Sequence, residues 1–157
     1  MDHMAKEHTF TQALQMTKVT SWLDRGGEVN STAFSSRGHT LLQMAVVDNH
    51  DNLVAELLRR GADTDTCGQG GKTALMLAAK FGHAKCVEHL LRAGARADLR
   101  AAEDDSDFTE HDGLTALEIV EAETSTKGSK PRFAEITRML SDAERLQQAH
   151  RARSGMQ

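Results

Sequence analysis

The sequence predicts an all-α fold built as a short linear stack of helix pairs, and three observations predict it. A register of about 33 residues repeats in separate blocks, threonines stand before short apolar runs, and glycines follow the runs. Leu57-Leu58-Arg59-Arg60-Gly61-Ala62-Asp63 recurs as Leu90-Leu91-Arg92-Ala93-Gly94-Ala95-Arg96. Gly38-His39-Thr40-Leu41-Leu42-Gln43-Met44-Ala45 recurs as Gly71-Lys72-Thr73-Ala74-Leu75-Met76-Leu77-Ala78, and Asn49-His50 maps onto Gly82-His83 with the same offset.

Each element follows from this register. The first pair is the least regular, with a helix around Lys6 to Leu14 and a second one closing at Trp22-Leu23-Asp24-Arg25-Gly26-Gly27. In the second pair Thr40 is placed to cap a helix that carries Leu42, Ala45 and Val46 at helical spacing; Leu53, Val54, Leu57 and Leu58 mark its partner helix. In the third pair Thr73 caps Leu75, Ala78 and Ala79, and Val87, Leu90 and Leu91 form the apolar side of the partner. Gly61 and Gly94 fall where the chain must turn with positive φ. Thr115 opens the fourth pair, whose second helix is expected from Phe133 to about His150 after an insertion at about 123–132, read as a flexible crossing. The expected units are about 5–30, 31–65, 66–98 and 99–150, together one domain over 1–157. No single pair can bury its apolar side alone, so the pairs must stack.

Composition narrows the function classes. Hydrophobic residues make up 39% and charged residues 27%, as in a globular or solenoid chain, and the formal net charge of -4 gives no general reason to expect nucleic-acid binding. Two cysteines, Cys67 and Cys86, are too few for a disulfide scaffold and lack metal-ligand spacing. No run reaches the roughly 18 apolar residues of a membrane span, and the polar N-terminal segment lacks the apolar core of a signal peptide, so an intracellular protein, cytoplasmic or nuclear, is expected.

The sequence carries few signs of chemistry. Gly68-Gln69-Gly70-Gly71-Lys72-Thr73 misses the spacing of a phosphate loop, and the repeat register already accounts for Gly71 and Thr73. His50 and His83 occupy equivalent turns, which fold maintenance explains. The link from Asp98 to Gly113 is about nine residues longer than the central pattern, an acidic insertion at about 99–112 that carries Glu103, Asp104, Asp105, Asp107, Glu110 and Asp112 with Phe108 among them. It lacks the glycine and helices of a calcium loop, so no metal, cofactor or enzymatic activity is expected; a basic partner attracted by the acidic run is.

The blocks Gly71, Thr73, Leu75, Ala78, Ala79, Gly82, His83, Leu90, Leu91, Gly94 and Ala95, and Gly38, Thr40, Leu42, Ala45, His50, Leu57, Leu58, Gly61, Ala62 and Asp63, resemble the ankyrin repeat family. The departures are consistent: Leu41, Ala74 and Ala116 replace the motif's proline, and Gln43, Met76 and Glu118 replace its histidine, which implies looser coupling between loops and helices. The resemblance implies an ankyrin-repeat solenoid acting as a non-enzymatic adaptor or scaffold that binds a protein or peptide through loop tips and the concave helix face. A regulatory or inhibitory subunit of a partner enzyme, or a self-associating module, are the alternatives, and a monomer is expected for the chain alone. Carried over by position, the candidate binding residues are Arg37, His39, Val47, Asp48, Gln69, Lys72, Leu77, Lys80, Phe81, Phe108, Asp112 and Leu114, and the resemblance also permits hydroxylation of Asn30.

Overall fold

The computed structural model describes residues 16–102, 111–128 and 130–155. Among them the helices are α1 (Met16–Asp24), α2 (Leu41–Val47), α3 (Asp51–Arg59), α4 (Ala74–Phe81), α5 (Ala84–Arg92), α6 (Ala116–Lys127) and α7 (Pro131–Ser154), with a 3-10 turn at Gln69–Gly71 and no strand. The helix expected around Lys6 to Leu14 lies outside the described residues.

The helices form two rows. α2, α4 and α6 pack side by side as an inner row, α3, α5 and α7 as an outer row, and each inner helix also packs on the outer helix that follows it. α1 stands at the start of the outer row, contributing Val19 and Leu23 to the core, and Arg60 reaches back to Asp24 at 2.7 Å. The core runs continuously through Leu42, Val46, Leu53, Leu57, Leu75, Ala78, Val87, Leu90, Ile119, Val120, Phe133, Ile136 and Leu140. α4 sits in the middle of the inner row, and all six residues from Ala74 to Ala79 are buried. Its alanines are what allow neighbours to approach on more than one side.

Local chemistry starts and stops these helices as their sequences require. Thr40, Thr73 and Thr115 each accept the backbone N–H of the residue three positions on, Gln43, Met76 and Glu118, at 3.2, 3.4 and 3.3 Å, and each of those side chains accepts the threonine's own N–H. α2 gives way to Asn49 with φ 57° and α4 to Gly82 with φ 72°, both in the left-handed region that ends a helix. α6 meets no such residue until Gly128 and runs on to Lys127. The segment 123–132, expected as a flexible crossing, is therefore mostly helix, and α7 begins at Pro131, earlier than Phe133, because proline at the first helical position needs no N–H partner.

Candidate functional site

The candidate residues fall at two ends of the inner helices. Arg37, His39, Gln69, Lys72, Asp112 and Leu114 belong to the loops that lead into those helices, whereas Val47, Asp48, Lys80 and Phe81 lie at their C-terminal ends. α4 separates the two groups by about 12 Å at the rise of an α-helix.

The loop end is largely taken up by the stack itself. Lys72 is only 7% exposed, and its carbonyl accepts bonds from the Gln43 amide at 3.0 Å and the Gly68 N–H at 3.1 Å. His39 is half-buried against Gly68, where an added Cβ would lie 2.6 Å from the His39 ring. Arg37 is exposed; Leu114 is half-buried, with its carbonyl bound by the Ala101 N–H at 3.0 Å, and Asp112 is half-buried beside it. Lys72, expected as an accessible tip, is thus withdrawn from the surface because its backbone forms part of the joint between repeats. Leu77, expected on the concave face, is 6% exposed and belongs to the core. Phe108 and the acidic residues from Glu103 to Glu110 lie outside the described residues. His111, beside Asp112, is buried: its Nε2 lies 3.1 Å from Glu123 Oε1 on α6, with both side chains 2% exposed.

The opposite end is more open. Phe81 is 39% exposed although it closes the most buried helix of the stack. Its ring stacks on that of His83, with centroids 6.0 Å apart and planes 22° from parallel, and Lys80 Nζ lies 5.8 Å from the Phe81 centroid. His83 Nε2 lies 3.4 Å from the Val47 carbonyl, so that nitrogen carries the proton and donates. Burial holds the His83 imidazole below its ordinary range; the Arg132 charge adds to this, while the Val47 bond and the Asp48 charge oppose it. A neutral ring donating from Nε2 leaves Nδ1 as an acceptor.

Arg132 reaches this end from α7. A Cβ on Gly82 would stand 2.8 Å from Arg132 Nε and 3.1 Å from Phe133 Cε1, so glycine here both permits the positive φ and leaves room for the arginine. The Arg132 guanidinium lies 5.1 Å from the centre of the Phe133 ring, which supports it. Val47 and Asp48, both half-buried, complete the cluster from the preceding repeat. Sequence reasoning placed His83 only in fold maintenance and did not find Arg132, which comes from a different unit; its one sequence signal was a position next to Pro131 at a helix start.

Other candidate groups are structural in their contacts. Asn30 is exposed and its side-chain oxygen accepts the Asp63 N–H at 2.8 Å; Asp65, its counterpart one unit later, accepts the Arg96 N–H at 3.1 Å. Burial, with the Asp51 charge adding, pushes the Cys86 thiol up to about 11, and the thiol faces Asn49 Oδ1 at 3.8 Å. Such a thiol is a poor nucleophile at neutral pH.

A family model described as ankyrin repeats, in three copies, matches residues 10–101, more than half of the chain. With the two-row stack and its capped helix pairs, this shows that the chain belongs to the ankyrin-repeat family. Ankyrin repeats are generally protein–protein interaction modules and generally non-enzymatic. A search of curated proteins returned no match. Among the described residues no helix is long and apolar enough to cross a membrane.

Proposed function

We propose that this chain is a non-enzymatic adaptor or scaffold that binds a protein or peptide partner at the end of the inner row centred on Phe81, with the α6/α7 pair as a divergent fourth unit. Val47, Asp48 and Lys80 form the immediate surround, and Arg37, His39, Gln69, Asp112 and Leu114 form an outer rim at the loop end. The observation that carries this reading is the exposure of Phe81. Phe34 and Leu146 are the other exposed large hydrophobics among the described residues; Phe34 leans edge-on against Trp22 at 5.1 Å, and Leu146 lies on the outer helix of the last pair. Phe81 alone sits where groups from three helix pairs converge, the position in which a buried aromatic contributes most to an interface.

The test is affinity capture with the intact chain, followed by titration of the captured proteins against the intact chain and against Phe81→Ala. Expected is a loss of affinity of about tenfold or more with the fold unchanged by circular dichroism. Unchanged affinity would remove Phe81 from the interface. Sedimentation over a range of concentrations separates the alternatives: a mass that rises with concentration, and returns to monomer in Phe81→Ala, would make the partner a second copy of the chain.

A further inference from the structure

We propose that the Phe81 cluster recognises an acidic segment of its partner, in which a carboxylate side chain stands next to an apolar one. This rests on the binding surface proposed above and adds the chemistry of what it takes.

Two cations beside the exposed Phe81 ring are left without a carboxylate partner among the described residues. Arg59, Arg60, Arg92, Arg96, Arg100 and Arg151 are each paired with a carboxylate of the chain. Lys80 and Arg132, which flank Phe81 and His83, have no carboxylate among the described residues within ion-pair distance; their cations lie over aromatic rings instead. Arg132, exposed at the start of α7, lies across the notch at Gly82 with the Phe133 ring beside it, and its planar guanidinium suits a carboxylate.

The other groups around the ring agree with an acidic ligand or limit where it lies. His83, on the turn after α4, is kept neutral in part by Arg132, so it adds an acceptor and no charge. Asp48, from the end of α2, is a carboxylate whose charge acts on His83, and it is itself engaged within the chain. The ligand carboxylate therefore belongs beside Lys80 and Arg132, with its apolar neighbour on Phe81. This polarity is opposite to that expected from the acidic run at 103–112, which predicted a basic partner.

The probe is a displayed library of random peptides of about twelve residues, selected on the full chain, with the winners made synthetically and titrated by fluorescence anisotropy. Expected are sequences with Asp or Glu beside an apolar residue, weakened about tenfold by Phe81→Ala and about tenfold by Lys80→Glu with Arg132→Glu, and weakened further by salt. Replacing the peptide's acid by its amide should cost a similar factor. Phe81→Leu, which keeps an apolar side chain, should retain most of the affinity and guards against a folding defect in Phe81→Ala. Peptides that depend on Phe81 but are neutral or basic would overturn the acidic assignment and leave the binding surface standing. Peptides indifferent to every one of these variants, or no selected peptide at all, would overturn both.

Discussion

At the third helical position of α2 a buried amide joins two repeats, and at the matching position of α4 there is a thioether. Gln43 accepts the Thr40 N–H at 3.0 Å and donates from Nε2 to the carbonyls of Thr66 at 2.8 Å and Lys72 at 3.0 Å, so one side chain closes its own helix and holds the next loop. Met76 is equally buried, accepts the Thr73 N–H at 3.5 Å and has no proton to donate. The loop beyond α5 is held by other means. The Ala101 N–H bonds the Leu114 carbonyl at 3.0 Å, the Gly113 N–H bonds the Ala101 carbonyl at 3.1 Å, and Gly71 lies so close that an added Cβ would stand 2.7 Å from Ala102 Cα. From α7, Gln147 donates to the Ala95 carbonyl at 2.9 Å and accepts the Ala97 N–H at 3.0 Å. Glu118 shows a third solution: it accepts the Thr115 N–H at 2.8 Å and, being partly exposed, carries a charge that meets Arg100 at 3.0 Å. The position demands an acceptor for the cap; whether it must also donate depends on what the neighbouring loop already has.

Breaking the polar joint should have the largest effect. Gln43→Leu leaves the Thr40 N–H and two loop carbonyls without this partner, and should cost about 3 kcal/mol in chemical denaturation. Gly71→Ala attacks the packed joint through its φ of 60° and its closeness to Ala102, and should cost about 2 kcal/mol, without changing the helix content seen in the far ultraviolet. Met76→Gln asks whether the polar solution transfers; the expected outcome is a stability within about 1 kcal/mol of the parent, and a larger loss would show that the thioether's packing is what matters there.

The smallest effect concerns His83, whose Val47 bond also links two repeats. The folded ring resists protonation, so as pH falls through the ordinary value of 6.5 the unfolded chain takes up the proton first. Stability should therefore decline from neutral pH downward, flattening once the pH is below the folded value. Denaturation midpoints measured across that range should show this slope in the parent and lose part of it in His83→Asn.

Much of the fold can be read from residues that act within one helical turn. Thr40, Thr73 and Thr115 cap because a hydroxyl can meet an N–H three residues away, and Gly61 and Gly94 turn with φ of 86° and 89° because a residue without Cβ adopts them at little cost. These decisions recur with the repeat, which is why the register shows in the chain itself. The Phe81 end is legible in the same way as far as Lys80 and Phe81, which are neighbours in sequence.

What the sequence does not reveal are the facts that stacking creates. Lys72 looks like a solvated loop lysine until the Gln43 amide draws its backbone into a joint. His111 and Glu123 meet at 3.1 Å in the interior, a pairing no local pattern announces, and α6 looks short until the absence of an early left-handed residue lets it run to Lys127. Arg132 joins Phe81 only because α7 folds back beside α5 and Gly82 leaves it space. Caps and turns are settled by bonds between near neighbours, so the sequence by itself determined the capped helices that open at Thr40, Thr73 and Thr115 and their order. Exposure, and the company each charge keeps, depend on which distant surfaces meet, and the tertiary structure alone decided them.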